Sequence, residues 1–158
     1  MIPKIILGID PGIADTGFGI ISKDKNKIEC INYGSIKTPA KTDLSERLET
    51  ISKDLKTIIQ KYKPDLIAVE ELFFFKNAKT ALVVGQARGV VLLTARQNKV
   101  PLVEFTPLEV KQAVSTYGKA EKKQVQRMVK TLLNLKEVPE PDDAADALAI
   151  AICACNHA

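Results

Sequence analysis

Histidine and cysteine are scarce in this sequence of 158 residues, which contains one His and three Cys. His157 lies at the end of the chain, where chains usually fray, so we expect neither a Ser-His-Asp triad nor a histidine general base. Cys30, Cys153 and Cys155 form no CxxC pair, and with a single histidine they do not make a zinc site. Because Cys153 and Cys155 lie in the apolar stretch ALAIAICAC, we expect both to be buried packing residues.

Long apolar runs are also missing, and none approaches the ~20 residues that a membrane-spanning helix needs. The first ten residues, MIPKIILGID, turn acidic after a short apolar run and are not typical of a secretory signal. We therefore expect a reducing, cytoplasmic location and no membrane partner. Hydrophobic residues make up 46% and charged residues 27% of the chain, which excludes a disordered or collagen-like protein. The length predicts a single domain over residues 1–158.

Acidic residues are absent between Glu71 and Glu104. Residues 72–136 hold 12 basic and three acidic residues, a net charge of +9, whereas the rest of the chain carries −5. The total of +4 therefore hides a basic segment and an acidic remainder. A solvated helix face is one interpretation of the basic segment. The other is a surface that holds phosphates beside carboxylates that hold metal, as cutting a polyanion requires.

Hydrophobic periodicity predicts the order βββαβαβααα, an α/β domain with a mixed five-stranded sheet flanked by helices. The predicted strands are residues 4–10, 17–22, 27–36, 65–70 and 100–105. The predicted helices are residues 42–62, 107–116, 121–133 and 141–155, with one more that begins at Asn77 or Thr80 and ends near Asn98. The first three strands are joined by short turns and form an antiparallel meander, whereas the helical crossovers add the last two strands in parallel.

Acidic residues occupy two kinds of position in this pattern. Asp10 and Glu70 each end an apolar strand, where chemistry gathers in crossover sheets. Asp142, Asp143 and Asp146 open an otherwise apolar helix, and helical spacing puts Asp146 on one face with either of the other two. Acids in a first turn stabilise the helix dipole by about 0.3–1 kcal/mol each, which explains Asp142 but not the deeper Asp146. Spacing alone leaves open whether Asp142 or Asp143 joins a carboxylate cluster, and whether the acids are instead scattered caps.

A cluster of four carboxylates without His or Cys would be a site for hard cations such as Mg²⁺ or Mn²⁺. Two such ions suit the in-line attack of water on a phosphodiester. The acids therefore indicate metal-dependent hydrolysis of a nucleic acid.

Aromatic residues and glycines add two further features. Three of the five Phe are consecutive in LFFFK, and their side chains cannot all share one core face. We expect at least one of Phe73, Phe74 and Phe75 to be exposed, for stacking on an unpaired base or for a protein or membrane contact. Gly85 and Gly89 leave a bare groove on a predicted helix, which suits close packing on the sheet or a close contact between two subunits.

Several of these stretches together resemble the RuvC family of Holliday junction endonucleases. They are GIDPGIADTGFGI (8–20), VEELFFFKNAKTALVVGQARGV (69–90), VKQAV (110–114), AEKKQVQRMV (120–129) and DAADALAIAI (143–152). They cover most of the chain in the family's order, so the resemblance is specific, and it implies a ribonuclease H-like fold. GIDPG alone would be weak, because other ribonuclease H-like nucleases share it.

The resemblance implies a homodimer that nicks two opposed strands of a four-way DNA junction in recombination and repair, leaving 5′-phosphate and 3′-hydroxyl ends. It also implies two Mg²⁺ ions per active site, with Mn²⁺ as a substitute, and a branch-migration motor complex as a partner. The implied catalytic and metal-binding acids are Asp10, Glu70, Asp143 and Asp146, which selects Asp143 over Asp142. The predicted DNA contacts are Phe73, Phe74, Lys76, Lys111, Lys119, Lys122 and Lys123. Of these, Phe73, Lys111 and Lys122 match the family's positions, while the extra aromatic residues leave open which Phe contacts DNA.

Three other functions compete with this one. A ribonuclease H-like nuclease acting on RNA would share the fold, but the basic and aromatic middle segment argues against it. An actin-like ATPase is suggested by Asp10, Gly12 and Thr16–Gly17, yet the chain is too short for two lobes and has no GxxxxGK[ST] loop. A protein that only binds junctions would not need the four acids.

Overall fold

The computed structural model of the protein describes residues 2–71, 77–115 and 120–158. Its strands are β1 (Lys4–Asp10), β2 (Asp15–Asp24), β3 (Lys27–Lys37), β4 (Leu66–Glu70) and β5 (Leu102–Phe105). Its helices are α1 (Leu44–Tyr62), α2 (Ala78–Gln97), α3 (Pro107–Val114), α4 (Lys122–Leu132) and α5 (Asp142–Cys153), followed by a short 3₁₀ turn (Ala154–His157). The element order is the predicted one, with β2 longer than expected and the ends of several other elements displaced by one or two residues.

The five strands form one mixed sheet, as predicted, and their order in the sheet is β3-β2-β1-β4-β5. The first three strands pair antiparallel, whereas β1–β4 and β4–β5 are parallel. Alternation along β1 sends Leu7 and Ile9 into a core with α1 and α2, and Ile6 into a second core with α3, α4 and α5. Helices therefore cover both faces of the sheet.

Local capping explains where two of the helices begin. The Asn77 side chain accepts hydrogen bonds from the backbone N–H groups of Lys79 and Thr80, so α2 begins at the first of the two predicted positions. α3 has a capping box between Thr106 and Glu109, with Pro107 in its first turn.

The carboxyl-terminal segment ends in the 3₁₀ turn, where the exposed His157 ring packs edge-on against Phe105 with ring centroids 5.0 Å apart. Cys153 and Cys155 are buried, as predicted, and burial raises the pKa of the Cys153 thiol to about 11. Among the described residues, no helix has the length and hydrophobicity that crossing a membrane requires.

Candidate active site

Strand alternation brings Asp10 and Glu70 to the same face of the sheet. β1 and β4 are parallel neighbours in which Gly8 pairs with Ala68, two residues before each acid. Because side chains two residues apart share a face, Asp10 and Glu70 both point toward the side that α5 covers. The pleat of two adjacent strands therefore places two carboxylates side by side at one edge of the sheet.

Glycines let α5 approach the sheet closely enough to add its own acids. Gly17 lies opposite Asp10 in the β1–β2 pair, and a Cβ there would lie 2.0 Å from the backbone oxygen of Asp143. A Cβ at Gly8 would lie 2.1 Å from the backbone oxygen of Ala147, one turn further along the helix. The helix backbone thus rests on bare strand backbone, with Asp143 held above Asp10. Sequence reasoning missed these positioning glycines, although glycine in strands beside an alanine-rich helix was a usable signal.

Three carboxylates meet at this contact. Asp10, Asp143 and Asp146 each offer an oxygen, and these oxygens all lie within 4.8 Å of one another. Glu70 is not one of this group of three. It lines a cavity of about 300 Å³ together with Asp146, Lys111 and Lys122. The structure therefore gathers all four predicted acids around one site, with three in close contact and Glu70 at the wall of the cavity.

Burial, and after it the mutual repulsion of the acids, raises the pKa values in this site. Burial raises the pKa of Asp10 to about 8, and the negative charges of Asp146, Asp143 and Glu70 add to the effect. Burial also raises the pKa of Glu70 to about 7, with a further contribution from Asp146. Without a cation in the site, the charged form of Asp10 is therefore disfavoured.

Two lysines face the acids and oppose this repulsion. Lys111 lowers the pKa of Glu70, although burial outweighs it. The Lys122 ammonium lies 3.8 Å from an oxygen of Asp146 and 3.4 Å from an oxygen of Asp142. The pKa of Asp146 still rises, because burial outweighs the attraction of Lys122.

Other predicted residues lie further from the acids or cannot be placed. Asp142 has a side chain that is 65% exposed, pairs with Lys122 and stays outside the group of three close carboxylates. Lys123 is exposed on α4 and does not line the cavity. The predicted DNA contacts Phe73, Phe74, Lys76 and Lys119, together with Phe75, lie outside the described residues.

The donor set fits a divalent metal ion. Every candidate ligand is a carboxylate oxygen, the donor type that hard cations such as Mg²⁺ and Mn²⁺ take. No ion pair to Asp10 occurs within residues 2–71, 77–115 and 120–158, so its charge has no protein cation to balance it there. A bound cation would stabilise the charged carboxylates against both the burial and the mutual repulsion that raise these pKa values.

A side chain that binds phosphate has to face solvent. One basic residue of the segment between Glu71 and Glu104, which contains no acids, does not. Arg88 of α2 forms an ion pair with Glu104, and its side chain is only 19% exposed. Its Nε also donates a hydrogen bond of 3.5 Å to the main-chain oxygen of Glu70. Arg88 is thus turned toward the sheet, and the net charge of this segment overstates the cationic surface available to DNA.

Comparisons with known proteins show what the whole chain is similar to. Residues 6–154 match the family described as crossover junction endodeoxyribonuclease RuvC. The relative of that name from Halothermothrix orenii is 59% identical over 152 residues, covering 96% of this chain and 92% of the relative. The solved RuvC structure from Thermus thermophilus aligns with a TM-score of 0.86 at 37% identity, covering 94% of this chain and 92% of that one.

A second Thermus thermophilus structure, described as RuvC in complex with Holliday junction substrate, aligns equally well. It has a TM-score of 0.86 and 35% identity, over 94% of this chain and 91% of that chain. The yeast mitochondrial Holliday junction resolvase shares the fold at 21% identity, with a TM-score of 0.67 and coverage of 94% and 76%. The mixed sheet and its helices are therefore the ribonuclease H-like arrangement of junction resolvases.

Proposed function

Because the chain belongs to the RuvC family of crossover junction endodeoxyribonucleases, we propose that it resolves four-way DNA junctions in recombination and repair. The reaction is metal-dependent hydrolysis of phosphodiester bonds by paired, symmetric nicks that leave 5′-phosphate and 3′-hydroxyl ends. The observation that carries this proposal is that Asp10, Asp143 and Asp146 meet at the carboxyl end of β1. The chain also aligns over almost its whole length with relatives named as crossover junction endodeoxyribonucleases. A ribonuclease H-like enzyme acting on RNA finds no support among these relatives.

Asp10, Glu70, Asp143 and Asp146 are the proposed ligands of two Mg²⁺ ions, with Mn²⁺ as a substitute. When bound, such ions activate water and stabilise charge on the leaving oxygen. The protein's own task is to hold four carboxylates on one rigid edge, with two of them on adjacent strands and two on α5. Because the pKa of Asp10 is about 8 and that of Glu70 about 7, these groups must release protons before they bind a cation.

Lysines beside the cavity are the proposed contacts to the junction backbone. Lys111 and Lys122 line the cavity with Glu70 and Asp146, so a phosphate placed at the acids would lie within reach of both ammonium groups. Lys123 is exposed on the same helix as Lys122 and would extend this contact outward. Phe73, Phe74, Lys76 and Lys119 remain predicted contacts.

We also propose a homodimer formed through α2. Its exposed face carries Leu82 and Leu93, which are 68% and 57% exposed, with Gly89 between them. A Cβ added at Gly89 would meet nothing within 4 Å, so close packing within the chain does not explain this glycine. An apolar helix face with a bare centre suits a second copy of the same helix, and two active sites related by a two-fold axis suit a junction of similar symmetry.

The dimer is tested by sedimentation of Gly89→Leu, which should dissociate the dimer without unfolding the protomer. Leu108→Glu is the control, because Leu108 is exposed on α3, outside the proposed interface, and this variant should stay dimeric. If Gly89→Leu stays dimeric, α2 is not the interface.

Three further proposals concern the domain, the location and a partner of the protein. Residues 1–158 act as one nuclease domain, since β1, β4 and α5 all contribute acids to the same site. An enzyme that processes chromosomal junctions acts in the cytoplasm, where that DNA lies. Its proposed partner besides DNA is a branch-migration motor complex, which pull-down with the purified motor would test.

A cleavage assay tests the main proposal directly. Labelled four-way junction, linear duplex and RNA–DNA hybrid are incubated with the protein, with and without Mg²⁺. We expect symmetric nicks confined to the junction and dependent on Mg²⁺. Equal cleavage of linear duplex, or preference for the hybrid, would contradict it. In the same assay Asp10→Asn should abolish cleavage, whereas Asp54→Asn, which changes an exposed acid on α1, is the matched control and should cleave like wild type.

A further inference from the structure

Arg88 connects three elements at the edge of the sheet where the acids lie. It projects from α2, pairs with Glu104 of β5 and donates from Nε to the main-chain oxygen of Glu70, the last residue of β4. The two strands are joined at the same level by a backbone hydrogen bond of 2.6 Å from Glu71 to Phe105. The guanidinium therefore braces the end of β4 just before the chain leaves the sheet.

The contact reaches Glu70 from the side away from the cavity. Glu104 pairs with Val69, whose side chain lies in the core with α1 and α2, so Arg88 approaches from that face. The Glu70 carboxylate points to the opposite face, where it lines the cavity with Asp146. Arg88 can therefore orient Glu70 without itself contacting a metal ion or DNA bound in the cavity.

A planar guanidinium suits this task better than an ammonium group. Its fixed fork can bind a carboxylate and a carbonyl at the same time, whereas an ammonium is a point charge on a flexible stem. The side chain is mostly buried, so its position is set by packing. Removing a partner that hydrogen-bonds the side chain of a metal ligand changes metal affinity by about 10–100-fold. Arg88 holds the main chain of Glu70 and not its carboxylate, so we expect an effect at the lower end of that range.

We propose that Arg88 is a positioning residue for Glu70, which fixes the end of β4 so that the carboxylate is held ready for a cation. This inference rests on the proposed role of Glu70 in metal binding. Its signature is a loss of metal affinity in the DNA-free protein without a loss of affinity for DNA. A phosphate-binding arginine would show the opposite pattern.

The experiment titrates Mn²⁺ into the DNA-free protein by calorimetry, for wild type and for Arg88→Lys and Arg88→Ala. Arg88→Lys keeps the charge, so it retains the pairing with Glu104 and the fold even if Arg88→Ala does not fold. We expect Arg88→Lys to weaken Mn²⁺ binding about tenfold. Arg96→Ala removes an exposed arginine from the same helix and should leave Mn²⁺ binding unchanged.

Junction binding in EDTA is measured for the same variants, and Glu70→Gln is titrated in parallel. Wild-type Mn²⁺ affinity in Arg88→Lys, or reduced junction binding in EDTA, would overturn the role of Arg88. If Glu70→Gln also binds Mn²⁺ like wild type, it is the proposed role of Glu70 that fails. If Glu70→Gln loses affinity while Arg88→Lys does not, only the inference about Arg88 is wrong.

Discussion

Replacing Asp10 with Asn should make the metal-free protein more stable while abolishing its cleavage of junctions. The reason is that the Asp10 carboxylate is partly buried against the negative charges of Asp146, Asp143 and Glu70. Asn has nearly the same shape as the protonated acid but never carries the charge. The substitution therefore removes an electrostatic cost that the wild-type protein tolerates for metal binding.

The size of the effect follows from the pKa of Asp10. Folding raises this pKa from 3.8 to about 8, so at pH 7 the folded protein binds a proton that the unfolded chain has released. The gap between pH 7 and 3.8 is about three pKa units, and at about 1.4 kcal/mol per unit the upper limit is ~4 kcal/mol. Water and ions that reach the open side of the cavity reduce this cost. We expect Asp10→Asn to gain between about 1 and 4 kcal/mol at pH 7.

The pH dependence has a definite sign. Because the folded state binds more protons than the unfolded state, wild-type stability from this group falls as pH rises from about 4 to 8. Asp10→Asn removes that slope, so the difference between the two proteins should grow with pH over this range. Below the unfolded pKa the two proteins should be nearly equal in stability.

Urea unfolding in EDTA at several values between pH 4 and 8.5 measures the difference. Asp54→Asn serves as the control, since this exposed acid on α1 should change the unfolding free energy by less than about 0.5 kcal/mol. Mg²⁺ should then stabilise wild type and not Asp10→Asn. The reasoning is refuted if Asp10→Asn is less stable than wild type at pH 7, or if both proteins show the same pH slope.

Three further outcomes are expected. Gly17→Ala should lower the free energy of unfolding in urea by about 1–3 kcal/mol and weaken Mn²⁺ binding, because the new Cβ would push against the Asp143 backbone. Unchanged metal affinity would show that the close approach of α5 to the sheet is not needed. Metal affinity should rise from pH 6 to 8.5, and metal binding should release protons, because the pKa values of Glu70 and Asp10 are about 7 and 8. Calorimetry in buffers of different ionisation enthalpy measures the proton release, and a metal affinity that does not change with pH would contradict the prediction. Lys111→Ala should raise the pKa of Glu70 further and move the pH midpoint of metal binding upward. Lys123→Ala removes an exposed lysine outside the cavity and should leave this midpoint unchanged. Equal shifts in the two variants would exclude a local effect of Lys111.

Local signals in the sequence predicted the elements of the fold. Strand and helix periodicities are short-range properties, so the five strands and five helices could be recognised in order. The helical crossover before β4 predicted that this strand is added in parallel, and the acids that end β1 and β4 marked strand ends where chemistry gathers, but only the structure showed that β1 and β4 are neighbours. Asp10 and Glu70 were therefore visible as candidate residues before any contact was known.

Other features depended on contacts between distant segments. Asp142 and Asp143 are adjacent in a helix, about 100° apart, and spacing could not tell which one faces the sheet. In the structure Asp143 rests on Gly17, while Asp142 turns outward to Lys122. The basic segment likewise concealed that Arg88 points inward, because a count of charges contains no information about the rotation of α2.

The sequence by itself determined which chemistry is possible: oxygen ligands, no usable histidine, and basic residues to meet a polyanion. It did so because side-chain chemistry and local periodicity are properties of short stretches of chain. The tertiary structure alone decided that Asp143 and Asp146 meet Asp10, more than 130 residues earlier in the chain. That meeting depends on how closely α5 packs on the sheet, and bare backbone at Gly8 and Gly17 sets the distance.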